Sequence, residues 1–231
     1  MKTIGLIGGM SWESSLAYYR MLNESAKARL GGLHSAKIVM YSVDFAEIET
    51  FQREGRWADA AQALAHAAKR LESAGADFLV LCTNTMHKVA DEVQGQVAIP
   101  LIHIADATAQ RIREAGLRRV GLLGTRFTME EDFYTGRLAH TYGLDVLLPD
   151  DRGRETVHRV IYDELVLGKI VPESKRQYLE IMADLVRQGA QGIILGCTEI
   201  GLLVQAGDCQ APLFDTTQIH AQAAFEYALG E

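Results

Sequence analysis

Gly75-Ala76-Asp77-Phe78-Leu79-Val80-Leu81-Cys82-Thr83-Asn84-Thr85 and Gly189-Ala190-Gln191-Gly192-Ile193-Ile194-Leu195-Gly196-Cys197-Thr198-Glu199 read as one segment written twice, at a constant shift of 114 positions. Each copy opens on glycine, continues as a short apolar run of the kind that forms a parallel strand covered on both faces, and ends in a polar turn. Two more pairs repeat in the same order. Thr3–Gly9 resembles Arg119–Thr125 at a shift of 116, and Ile99–Ile102 resembles Ala211–Phe214 at a shift of 112. Three matched segments in one order define a duplicated unit, and a long-period repeat settles architecture before local detail does. The duplication also sets Thr83, and not its neighbour Cys82, opposite Cys197.

Between these segments the pattern alternates strand and helix. Strands are predicted at Thr3–Ile7, Ala36–Val43, Phe78–Leu81 and from Pro100 in the first half, and at Val120–Leu123, Val146–Leu148, Gly192–Leu195 and Phe214 in the second. Helices follow each, including one predicted after Thr128 and through His140 and one over Glu155–Leu167. Such alternation implies an α/β protein with parallel sheets and right-handed crossovers. The boundary is expected near Ile104-Ala105, giving a domain over 1–104, its duplicate over 105–214, and a C-terminal helix over 215–231 that packs back on the first domain. In open α/β sheets ligands bind at the carboxyl ends of the strands, where both duplicated turns lie.

Composition narrows the partners. With 231 residues, 48% hydrophobic and 23% charged, the chain has the makings of a soluble globular protein. A net charge of −7 offers no electrostatic reason to bind nucleic acid or an anionic membrane. Three cysteines form no disulfide framework and suit a reducing cytoplasm. No apolar run approaches the roughly 18 residues of a membrane span, and Lys2 with a short apolar stretch before Trp12-Glu13 is not a signal peptide. The glycines Gly5-x-x-Gly8-Gly9 match neither the dinucleotide fingerprint nor a P-loop, and read as a tight strand-to-helix turn. No metal-ligand cluster, Ser-His-Asp signature or pyridoxal-phosphate motif is evident. A small molecule is the expected partner.

The chemistry lies in the turns. A thiol titrates ordinarily near ~8.5 and becomes a thiolate more easily when helix N-terminal N–H groups point at the sulfur. Cys197-Thr198-Glu199 is expected to have that context. Two such turns on the walls of a cleft suit proton transfer at a carbon held between them.

Three motifs, Gly8-Gly9-Met10-Ser11-Trp12-Glu13-Ser14, Thr83-Asn84-Thr85 and Gly196-Cys197-Thr198-Glu199, together resemble the cofactor-independent aspartate/glutamate racemases, with similarity over the whole chain. The resemblance implies two pseudo-symmetric Rossmann-like domains with parallel sheets, an active site in the cleft between them, no cofactor, and a homodimer. In that family a cysteine at each turn serves as opposed acid and base at the α-carbon. Glu199 in place of a histidine, and the Gly-Met-Ser opening, look more like the aspartate racemase branch. The departure is Thr83, which stands where the family has its first cysteine; Cys82 is adjacent, but neighbouring strand residues point to opposite faces. The resemblance therefore implies that Cys197 takes the α-proton from L-aspartate or L-glutamate, that the Thr83 side returns one, and that reaction from the D-enantiomer is slow or undetectable. It also implies that the Met10 backbone, Gln52, Thr83, Asn84, Thr85, Thr125, Thr198 and Glu199 surround the substrate. His87 and His103 read as supporting residues or caps. Two other readings remain open: a decarboxylase of disubstituted malonates of the arylmalonate type, whose members also keep only the second thiol, and a dicarboxylate-binding sensor without chemistry.

Overall fold

A computed structural model describes residues 1–230. In chain order the elements are β1 (Ile4–Gly8), α1 (Trp12–Leu30), β2 (Ile38–Ser42), α2 (Phe45–Arg53), α3 (Trp57–Ser73), β3 (Phe78–Leu81), α4 (Ala90–Gln94), β4 (Leu101–Ile102) and α5 (Ile104–Glu114). There follow β5 (Arg119–Gly124), α6 (Arg126–Glu130), α7 (Asp132–Gly136), β6 (Asp145–Leu147), α8 (Asp151–Asp163), α9 (Pro172–Arg187), β7 (Ile193–Gly196), α10 (Ile200–Leu203), β8 (Leu213–Asp215) and α11 (Thr216–Leu229). The described chain divides into two compact units. One comprises Met1–Ile104 with the chain from His220 onward, the other Ala105–Ile219. Among the described residues, no helix is long and apolar enough to cross a membrane.

The first unit holds a four-stranded parallel sheet in the order β2-β1-β3-β4. Its central strands are apolar throughout because helices cover both faces, so each side chain meets a core whichever way it points. On one face, Ile7, Leu79 and Leu81 pack against Ala60, Leu64, Ala67, Ala68 and Leu71 of α3 and against Ile48 and Phe51 of α2. On the other, Ile4, Leu6, Phe78 and Val80 pack against Tyr18, Leu22 and Ala26 of α1 and against Ala221, Ala224, Phe225 and Ala228 of α11.

The second unit repeats the plan in the order β6-β5-β7-β8, again all parallel. The register repeats as well. Gly5 pairs with Leu79 and Leu79 with Leu101; in the duplicate, Gly121 pairs with Ile193 and Ile193 with Leu213. The matched glycines share a cause. A Cβ on Gly5 would lie 2.8 Å from Ala76 Cβ, and one on Gly121 would lie 2.8 Å from Ile193 Cδ1 and 2.9 Å from Leu185 Cδ1.

The helix predicted through His140 is broken. Glu131 takes an extended backbone (φ −98°, ψ 148°) between α6 and α7, which interrupts the helical ladder, and residues 137–141 finish as a π-turn. A bidentate pair of Arg137 with Asp106, at 2.6 and 2.7 Å, ties that turn to α5. Helix α8 starts ahead of Glu155 because Asp150 caps it, accepting from Gly153 N–H at 2.7 Å.

His220 anchors α11 in the first unit. Its Nδ1 accepts from the Tyr18 hydroxyl at 2.8 Å, and its Nε2–H donates to the Ile102 carbonyl at 2.8 Å, an assignment forced by the carbonyl having no proton to give. Complete burial pushes the imidazole down to about 4 from its ordinary 6.5. The unfolded chain therefore binds a proton between those values that the folded chain refuses. The stabilisation is complete above the unfolded value and is lost as pH falls from 6.5 toward 4, by on the order of 3 kcal/mol. Urea unfolding at pH 7.5 and pH 5 should show about 2 kcal/mol of that loss in the wild type and a smaller one in His220→Gln.

Candidate active site

The turn after β3 begins by sorting two neighbours. Cys82 keeps the parity of Phe78 and Val80 and lies fully buried in the core beneath α1 and α11, where desolvation pushes its thiol far up. Thr83 is the next residue, 8% exposed, at the carboxyl edge of the sheet. Its carbonyl accepts from His87 Nδ1–H at 2.7 Å as residues 85–89 wind into a 3₁₀ turn. The loop after β1 is fastened to this turn through serines. The Ser14 hydroxyl sits between the Ser11 and Cys82 carbonyls at 3.0 and 3.2 Å, and Ser15 Oγ accepts from Gly9 N–H at 2.7 Å. Gln52 of α2 reaches the same region, its Nε2 2.9 Å from Met86 Sδ. Met10, Gln52, Thr83, Asn84 and Thr85 are each buried in the first unit.

In the second unit, Thr125 caps α6, its Oγ1 accepting from Thr128 N–H at 3.2 Å. Beyond β7, Cys197 is 9% and Glu199 3% exposed. The Cys197 thiol donates to Glu199 Oε2 at 3.1 Å, and the Thr198 hydroxyl donates to the same oxygen at 2.5 Å. The backbone N–H groups expected at the sulfur are present, from Glu199 and Thr198, but they do not set the balance. Burial and then the Glu199 charge push the thiol well above its ordinary value, outweighing the backbone N–H groups of Glu199 and Thr198 that favour the thiolate. The following helix, α10, has four residues, too few to build much of a dipole.

Behind this turn, Asp215 closes β8 and caps α11, its Oδ1 accepting from Thr217 and Gln218 N–H at 2.9 and 3.2 Å. A Cβ on Gly201 would lie 2.7 Å from Asp215 Oδ2, so a side chain there would force the carboxylate to shift. Ser14 and Ser15, hydroxyls after a glycine pair, and Asp215, an acidic residue at a strand end, read from the sequence only as helix caps; the fold adds the bonds to Cys82 and Gly9 and the close approach of Gly201. Among the described residues, no group of three or more His, Cys, Asp or Glu is placed to hold a metal ion.

Residues 7–224 match the Asp/Glu/hydantoin racemase family. The chain belongs to that family. It is similar over 99% of its length to the whole of a Yersinia pestis protein named provisionally as an Asp/Glu racemase, at 58% identity and a TM-score of 0.93. It is similar over the same share to the whole of an aspartate racemase homologue from Pyrococcus horikoshii, at 37% identity and a TM-score of 0.86. A broad-specificity amino-acid racemase of Bacillus subtilis is 23% identical over 70% of this chain and 69% of its own. An isomerase of the Asp/Glu racemase type, with two four-stranded parallel sheets, is what these relationships and the fold describe.

After burial, the Glu199 charge is the next cause that holds the Cys197 thiol up. Glu199→Gln removes a charge that holds the thiol up, so the alkylation rate of Cys197 by iodoacetamide, followed on its own peptide, should rise at lower pH than in the wild type. An unchanged or upward-shifted profile would contradict the assignment.

Proposed function

We propose that the chain racemises an acidic amino acid, L-aspartate or L-glutamate to the D-form, without a cofactor, and that Cys197 and Thr83 act on one α-carbon. The observation that carries this reading is the unequal pair at matched positions of the repeat: a thiol hydrogen-bonded to a buried carboxylate after β7, and a threonine after β3. The thiol's proton passes to Glu199, and the Cys197 thiolate takes the α-proton, leaving an enediolate. The proton on the other face comes through the Thr83 hydroxyl, which water refills, while Glu199 returns its proton to solvent. Thr83 contributes as a relay because an alkoxide is too basic to persist near neutral pH.

Met10, Gln52, Asn84 and Thr85 in one unit and Thr125 and Thr198 in the other supply the amide and hydroxyl groups suited to carboxylates and to charge developing on the enediolate. The homologue from P. horikoshii makes aspartate the first substrate to test. The reading also carries a reducing, cytoplasmic setting, which keeps Cys197 a free thiol, and a homodimer.

The sequence-based expectation of slow reaction from the D-enantiomer needs restating in thermodynamic terms. Enantiomers have equal free energies in water, so kcat/KM for net conversion is the same in both directions. The asymmetry falls instead on exchange with retained configuration. Cys197 exchanges its captured proton with solvent and returns it to the same face, whereas Thr83 does so poorly. Proton NMR in D2O should therefore show α-proton loss with retention faster from L- than from D-aspartate or glutamate, and about 10²–10⁴-fold slower in Cys197→Ser. No exchange from any of the four amino acids, or equal exchange with retention from both hands, would sink the reading.

A further inference from the structure

The two turns are held at their bases by different means. Shifted by 114 positions, His87 falls on Gly201, and at the shift of 112 His103 falls on Asp215. Each matched pair is in contact. In the first unit the His87 and His103 rings meet edge to face at 4.5 Å; in the second the Gly201 backbone lies against the Asp215 carboxylate. The Cys197 carbonyl accepts from the Ile200 backbone N–H at 3.2 Å, a bond any residue at 200 but proline supplies. The Thr83 carbonyl accepts instead from an imidazole, His87 Nδ1–H, at 2.7 Å. The far side of that ring is fixed too, because Nε2 accepts from Ile104 N–H at 3.2 Å. A backbone amide can only donate and a carbonyl can only accept, so these bonds together define one neutral tautomer with the proton on Nδ1. The ring is 3% exposed and spans from the turn to the first residue of α5.

We propose that His87 is the positioning residue of the Thr83 turn: a neutral strut between Ile104 N–H and the Thr83 carbonyl that sets where the Thr83 hydroxyl presents its proton. The assignment rests on the reading that Thr83 returns the proton, and it deepens that reading. A hydroxyl relay is less forgiving than a thiol, because a small displacement lengthens both of its hydrogen bonds at once. A strut that fixes the backbone beneath it is the corresponding safeguard. His87 has no part in proton removal by Cys197, so loss of the strut should separate the two halves of the reaction.

The experiment follows L-aspartate in D2O with the full-length wild type, His87→Ala, His87→Asn and His87→Gln. It reads α-proton exchange with retention by NMR and D-aspartate formation by chiral chromatography. An Asn amide stands near Nδ1 and still reaches the Thr83 carbonyl, whereas a Gln amide stands near Nε2 and does not. The expected result is that D-product formed per exchange event drops about 10- to 100-fold in the Ala and Gln variants, the scale of a misplaced reacting group, while exchange stays within about threefold of wild type. His87→Asn should keep a ratio close to wild type. If the Ala variant fails to fold, the contrast between Asn and Gln carries the test. Equal ratios in Asn and Gln, or exchange falling in step with inversion in every folded variant, would overturn the role of His87. Absence of Cys197-dependent exchange in the wild type would instead remove the racemase reading, and the strut's role with it.

Discussion

Cys197 and Glu199 share one buried turn, the thiol sulfur 3.1 Å from the carboxylate oxygen it donates to, and such a place accommodates one negative charge far more readily than two. Glu199 Oε2 also receives the Thr198 hydroxyl. Burial and the carboxylate together keep the sulfur protonated. In the proposed reaction this serves base strength: a thiolate formed by handing its proton to the neighbour is a stronger base than one already stabilised by solvent. A sulfur kept as thiol is also slow to oxidise, since the thiolate is the reactive form.

Duplication supplies the frame on which this pair is mounted. Both sheets run in the same strand order with the same register, and both place a polar turn at the carboxyl edge of the third strand of the repeat. Divergence then made the turns chemically unlike. One carries a thiol and a carboxylate and packs a glycine against Asp215. The other carries a hydroxyl and stands on a histidine bonded on both nitrogens. Equal scaffolds with unequal groups suit the proposed reaction, in which one face of a carbon loses a proton to a strong base and the other gains one from a weak acid.

Much of the frame was legible because burial on both faces writes itself as apolar runs such as Phe78–Leu81, and because close packing demands glycine twice, at Gly5 and Gly121. The burial of Cys82 was legible for a similar reason: a strand alternates, so the neighbour of Thr83 had to enter the core. The acidity of Cys197 was not. It depends on which way the Glu199 side chain turns and on how little solvent reaches the sulfur, and neither is encoded in the spacing of the two residues. The break at Glu131 was hidden too, since its cause is one backbone torsion pair within an otherwise helix-compatible stretch. His87 read as a support, but its two bonds became visible only once Ile104 was folded against it.

The central claim is that the two turns differ in base strength because one bears sulfur and the other oxygen. Thr83→Cys tests it most directly, with α-proton exchange at retained configuration measured from D-aspartate in D2O. A second thiol at the matched position should raise that exchange toward the rate seen from L-aspartate. Exchange from the D-enantiomer that stays at the wild-type level in a folded Thr83→Cys protein would contradict the account.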